Sequence, residues 1–586
     1  MKRPKIGLAS LLLLISSATH ADAANDFAML LDEHWEWSLA NSPVLASQIG
    51  DRRYNDSWPD QSLAAIERRH KDTEEFLRRV YAIDRNSLSE ADQLNYELFR
   101  RQLQDDVDVH QFQGHLLPFF HRGGIQNLDN VTNQLRMVTS KDYEDWLARM
   151  SKIDTVIEQE IELAETGRKA GIMAPKVLMQ RVTTQLALQV VDNAEESPFY
   201  RDFLSFPDSI PIEDQKRLRT TAIETIEKTI LPSYKKLDRY FNDKYLPASR
   251  DSIGQSVLPN GNAWYEHLAH SFTTTRMTPD EIHRLGLEEV KRIRGVMEKV
   301  IAEVEFDGDF AQFLVFMRTD PQFYFDNPDD LLQEYLATSK RIDPELVTLF
   351  GVLPRMPYGV KPIPDSIAPD TTTAYYSRPA ADGSRAGIYW VNLYKPEVRP
   401  KYEIEVLSVH EAMPGHHLQI AIQQELGDMP MFRRFLGFTA FVEGWGLYSE
   451  RLGYDLGLYK DPYSRFGQLT YDMWRAVRLV VDTGIHYKGW TRQQAIDFFK
   501  DNAAKTEHDI VNEIDRYIAM PGQALAYKIG QLKILTLRRR AERQLGDDFD
   551  IRAFHDELLG GGALPLDILE QRMDEWLATQ MPMAGE

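Results

Sequence analysis

Cysteine is absent from all 586 residues. That removes disulfides, thiolate nucleophiles and every zinc site built on sulfur, so a transition-metal site here must use histidine and carboxylate. Positive charge is scarce too. Asp and Glu outnumber Lys and Arg 89 to 68, for a formal net charge of -21. Such a chain repels phosphate backbones, and no basic stripe offsets this, so nucleic acid is not expected as a partner. Long apolar runs are also missing. The longest follows Lys2, Arg3 and Lys5 as Ile6–Ile15, too short to span a bilayer. Small residues come next, with Thr19-His20-Ala21 or Ala21-Asp22-Ala23 as cleavage points. This is the three-part pattern of a secretory signal peptide, read here as residues 1–23. With no cysteine to carry a lipid, the expectation is a periplasmic or secreted protein without a membrane anchor.

What is present suits a folded protein: 43% of residues are hydrophobic and 11% aromatic. Helical spacing dominates. Thr278-Pro279-Asp280-Glu281 reads as a capping box with proline at the first helical position. Ile282, Leu285, Val290, Ile293, Val296 and Val300 then recur on one face. Residues 213–244 predict a second long helix, kinked at Pro232. Residues 352–400 break the pattern. They are rich in Pro, Gly, Thr and Tyr, with β-type runs at Thr371–Ser377 and Gly387–Tyr394 around a turn-like Ala380–Ser384. There is no internal repeat. The expected organisation is an N-terminal helical region, 24–260, and a C-terminal helical catalytic region, 261–586, with a β insertion near 352–400.

Three of the 15 histidines, His410, His416 and His417, lie within eight residues, with Glu411 among them. Zinc sites often place two histidines four apart on a helix, where both can reach one ion. Here the spacing is six or seven. Seven residues rise about 10 Å on a straight helix, too far for two imidazoles to share an ion. A shared metal therefore requires the helix to distort between them. Pro414 lacks the amide hydrogen that would bond the carbonyl of His410, and Gly415 tolerates unusual backbone angles. The third ligand is expected at Glu443, a carboxylate in the apolar stretch Phe441–Glu450, where an unpaired charge would be costly. Glu450, seven residues on and on roughly the same face, is read either as a carboxylate that orients a ligand histidine or as one half of a surface salt bridge.

The stretch Val409–Gln419 resembles the signature of the bacterial family called domain of unknown function 885. The blocks Gly50–Tyr54, Thr273–His283 and Pro521–Lys528 extend that resemblance over nearly the whole mature chain. More distantly, Gly415-His416 and Phe441-Val442-Glu443 resemble the two zinc-binding stretches of thimet-oligopeptidase-like peptidases, with two residues inserted. That resemblance implies zinc held by His410, His416 and Glu443, Glu411 as general base, and Tyr527 as donor to the developing oxyanion. His416 is favoured over His417, which is left to touch substrate or to pack. It also implies a mainly α, two-lobed architecture with a small β element beside the metal-binding helix.

Further assignments concern substrate. Arg516 and Lys528 are placed to clamp a substrate carboxylate. Tyr389, in the run Gly387–Leu393, is placed on an edge strand to which a peptide could add. The expected activity is hydrolysis of short peptides by metal-activated water. The competing readings are a zinc hydrolase of esters or cyclic amides, and a metal- or peptide-binding protein without chemistry.

Overall fold

The computed structural model describes residues 8–365, 368–380, 383, 385–427 and 429–581. Residues 1–7 of the expected signal peptide lie outside these, as do Ala381, Asp382 and Ser384 of the expected turn. The backbone from Leu8 to Asn41 is helical. Among the described residues, no helix is long and apolar enough to cross a membrane.

The chain divides into two compact units, one of residues up to Ser249 with Asp428–Phe435, the other Arg250–Gly427 with Leu436–Glu586. In the first unit the expected kink at Pro232 takes a particular form. The helix Ile212–Thr225 passes into a wider π-helical turn, Ile226–Ile230, before Leu231–Tyr240 resumes. A second wide turn, Phe241–Tyr245, precedes Pro247 in the same way. A proline cannot donate to the preceding turn, and an expanded turn relieves that loss without ending the helix. Buried Arg149 helps close this unit, its guanidinium over the Trp58 ring and its Nη2 donating to Ser47 and Tyr54.

The second unit is organised by two 25-residue helices, Pro279–Glu303 and Pro462–His486. The capping box at Thr278 forms: its hydroxyl accepts from the Glu281 amide, and the Glu281 carboxylate accepts from the Thr278 amide. The two helices approach closely at Gly286, where a Cβ would stand 2.7 Å from the Leu479 side chain.

The β element is a three-stranded sheet of β1 (Tyr358–Pro362), β2 (Ala374–Ser377) and β3 (Gly387–Val391). Its order is β1-β3-β2, with β3 parallel to β1 and antiparallel to β2. This corrects the placing of β3 at an edge. β1 has no alternating apolar pattern to mark it, yet it pairs along the whole of β3. Both sides of β3 are thereby used, and no peptide can add to it.

Candidate metal centre

The distortion expected at Pro414-Gly415 is a complete break. The helix Ile404–Glu411 ends at Ala412, whose backbone (φ -104°, ψ -109°) is not helical, and a new helix starts at His416. Gly415 is required for this. A Cβ there would lie 1.9 Å from the His410 carbonyl oxygen. Two contacts tie the break down. The His417 amide donates to the Ala412 carbonyl at 3.1 Å, and Trp445 Nε1 donates to the Pro414 carbonyl at 2.8 Å.

The break folds His416 back beside His410. Their ring centres are 4.7 Å apart and nearly perpendicular, at 86°. Glu443 faces both: its Oε2 is 3.7 Å from His410 Nε2 and 3.4 Å from His416 Nε2. One ligand atom from each of the three lies within 4.8 Å of the others. Tetrahedral zinc with bonds of about 2.0–2.1 Å spaces its ligand atoms about 3.4 Å apart, so the donor set fits such an ion. A second observation agrees. Glu443 Oε2 is buried with no hydrogen-bond partner, although a buried carboxylate normally has one.

Behind the trio sits Glu450, fully buried on the Thr439–Leu452 helix. His410 Nδ1 donates to its Oε1 at 2.9 Å, which turns Nε2 toward Glu443. Arg475 Nη2 approaches the same Glu450 oxygen at 3.3 Å. Burial disfavours a charged His410, but the Glu443 and Glu450 carboxylates outweigh it and raise the imidazole to about 9. Burial likewise opposes charge on Glu443, and the two imidazoles outweigh that too, holding its carboxyl well below the usual range. Glu411 is the last residue of the His410 helix and is half-buried, near enough for its charge to act on both His410 and Tyr389.

Two features here were not anticipated. Gly444 lets a neighbouring helix approach closely, at Gly530. Gly446 instead leaves room for the imidazoles: a Cβ would stand 2.9 Å from His410 Cε1 and 3.2 Å from His416 Cε1. Trp445, between these glycines, locks the helix break. The run Gly-Trp-Gly in an apolar helix was the visible signal.

The substrate assignments divide. Tyr527 and Arg516 come together, Arg516 Nη2 donating to the Tyr527 hydroxyl at 3.0 Å. Three others are corrected. His417 is sealed off: its Nε2 donates to the Met356 carbonyl at 2.9 Å and its Nδ1 accepts from the Tyr376 hydroxyl at 2.8 Å. Burial pushes it down to about 4, so it is a neutral tie between helix and sheet. Tyr389 is fully buried on the central strand, its ring edge-on to Tyr335. Lys528 is fully buried as well, paired with Asp472 and donating to Gln531 Oε1 at 2.8 Å. A cation so enclosed balances an internal carboxylate and is not exposed to substrate.

Known proteins place the chain in a family. Among solved structures, a candidate lipoprotein from Colwellia psychrerythraea is similar, with 28% identity and a TM-score of 0.89 over 96% of this chain and 99% of that one. A candidate lipoprotein of unknown function from Shewanella oneidensis shares the fold, with 19% identity and a TM-score of 0.67 over 93% and 99%. No functionally curated protein matches. The profile of the family described as bacterial protein of unknown function (DUF885) matches residues 43–573. With that match spanning nearly the whole chain, this protein belongs to the DUF885 family.

Proposed function

We propose that this chain is an exported, zinc-dependent peptidase acting on short peptides. One observation carries the reading: two imidazoles and a buried, unpartnered carboxylate converge beside a further carboxylate, Glu411. The distant similarity to thimet-oligopeptidase-like peptidases supports the same roles. Bound zinc would supply a Lewis acid that polarises a carbonyl and makes water more acidic. His410, His416 and Glu443 hold it, and Glu450 fixes the His410 tautomer and ring. Glu411 is the general base, taking a proton from the attacking water and passing it to the leaving amine. The Tyr527 oxygen accepts from Arg516, so its own proton is free to meet the substrate oxygen. Export is supported by the basic and apolar N-terminal pattern and by the lipoprotein descriptions of the structural relatives. These 586 residues offer no cysteine for lipid attachment.

The test is metal analysis of purified protein, then incubation of zinc-loaded wild type and Glu411→Gln with a mixed peptide library. The variant is expected to keep its zinc and to lose activity by about a hundredfold or more. A zinc-loaded wild type that leaves the library intact, or a variant that cleaves as fast, defeats the proposal.

A further inference from the structure

Along the helix Pro462–His486, one turn beyond Arg475, lies an arginine whose charge is incompletely matched. Arg478 is 2% exposed. Its Nε donates to the Tyr517 hydroxyl at 2.8 Å and its Nη2 to Glu513 at 3.0 Å, while Nη1 is buried with no partner. The guanidinium lies over the rings of Trp474, at 4.7 Å, and Tyr527, at 4.2 Å. Arg516 adds a second cation. Its Nη2 donates to the Tyr527 hydroxyl and to Gln523 Oε1, and its Nη1 is 3.6 Å from that same Glu513. One carboxylate thus serves two guanidinium groups. Asp482, about a turn further along, accepts from the Tyr265 hydroxyl at 2.6 Å and the Gly522 amide at 3.0 Å, and burial raises its carboxyl to about 7, so it offsets the Arg478 charge only in part. A buried cation without a matching anion is costly, and an arriving anion would remove that cost.

The pair also stands close to the metal centre by two routes. Arg475, one turn from Arg478, contacts the carboxylate that orients His410. Tyr527 precedes Gly530 by three residues, about 4.5 Å along the axis, and Gly530 touches Gly444, the neighbour of Glu443. Guanidinium forks suit carboxylates, which accept two parallel hydrogen bonds.

We propose that Arg516, whose side chain is the more exposed of the two, backed by Tyr527 and by the enclosed Arg478, forms a subsite for a substrate carboxylate, so that the favoured peptides carry one near the cleaved bond. The inference rests on the peptidase reading of the adjoining centre. A chain terminus and an Asp or Glu side chain supply the same chemistry.

Equilibrium binding tests it without turnover, in zinc-loaded Glu411→Gln protein. The probes are one short peptide as free acid, the same peptide as C-terminal amide, and an amide ending in Asp. A carboxylate-bearing probe should bind at least about tenfold more tightly than the plain amide. Adding Arg516→Gln should abolish the difference, and Arg516→Lys, which keeps charge without the fork, should shrink it. Preference for the Asp amide identifies a side-chain source, and preference for the free acid alone a terminal one; both support the subsite. Equal affinity for all three probes, or a preference that survives both substitutions, overturns the subsite but not the peptidase reading. Failure to bind any probe overturns both. Should Arg516→Gln not fold, judged by circular dichroism, Arg516→Lys decides.

Discussion

At Gly446 the space that a Cβ would fill is taken by the edges of two imidazoles. In the metal-free protein a small tilt of these rings, His410 about its bond to Glu450, admits the added methyl at modest cost in stability. With zinc bound they cannot. Gly446→Ala is therefore expected to weaken zinc binding by tenfold or more, roughly the effect of losing an orienting contact, while the metal-free melting temperature shifts by only about a few degrees. Chelator competition and thermal melts read the two quantities, and unchanged zinc affinity would remove the role given to Gly446. At this scale the sequence was legible where spacing spoke. The spacing and the Pro-Gly pair announced a break that returns a second histidine to His410, the family resemblance favoured His416 over His417, and seven positions put Glu450 on the same helix face as Glu443. Lys528 was not legible. What buries it is Asp472, on another helix, and no local pattern announces such a pair.

The same substitution has opposite signs on two helices of the second unit. Gly530, on Ala526–Leu545, lies so close to the Thr439–Leu452 helix that a Cβ would be 1.8 Å from the Ala440 carbonyl. Gly530→Ala must push the backbones apart, and a cost of about 1–3 kcal/mol or more is expected. Gly295, on Pro279–Glu303, has nothing within 4 Å of its missing Cβ. Gly295→Ala should instead stabilise by roughly 0.5–1 kcal/mol. Denaturant unfolding compares them, and a neutral Gly530→Ala would contradict the close crossing. Helices were readable because their pattern is local: the capping box at Thr278, the apolar face after Ile282, the disturbance at Pro232. The sheet was less so. Its strand order depends on Tyr358–Pro362, whose register with β3 is set by pairing 29 residues away, and β3 became central only through that partner.

Across the whole molecule, buried titratable groups pull in opposite directions. Burial lowers His34 to about 4 and His121, His486 and His555 to about 3. Unfolded, these groups gain protons near pH 6.5, so their contribution is complete above that pH and is lost as acid is added. Burial also raises Glu160 and Asp482 to about 7. Their folded forms take up protons first, which adds stability over the same interval as pH falls. The two sets oppose each other between about pH 4 and 6.5. Asp472 behaves otherwise: burial raises it, but Lys528 and Arg292 outweigh that and hold it below its ordinary value, so its contribution disappears in stronger acid. Because the four histidines outnumber Glu160 and Asp482, the metal-free protein is expected to begin losing stability below about pH 6.5, the two carboxyls softening the loss, and to lose it more steeply below about pH 4. Urea unfolding followed by circular dichroism at successive pH values checks this, and stability that holds unchanged from about pH 7 down to about pH 4 would contradict it.

The segment Asp428–Phe435 has a consequence for how the chain is made. It belongs to the first unit, although the sequence reaches it only after most of the second has been written. Phe432 packs on Phe99, Phe435 stacks on Trp35, and Arg433 donates to Asn95. When Ser249 leaves the ribosome, those partners are still waiting. Translation at about 5–20 residues per second delivers the missing segment roughly ten to forty seconds later. Through that delay the nascent N-terminal unit keeps an apolar face uncovered, and the piece that closes it arrives between the strands of code for His416 and Glu443.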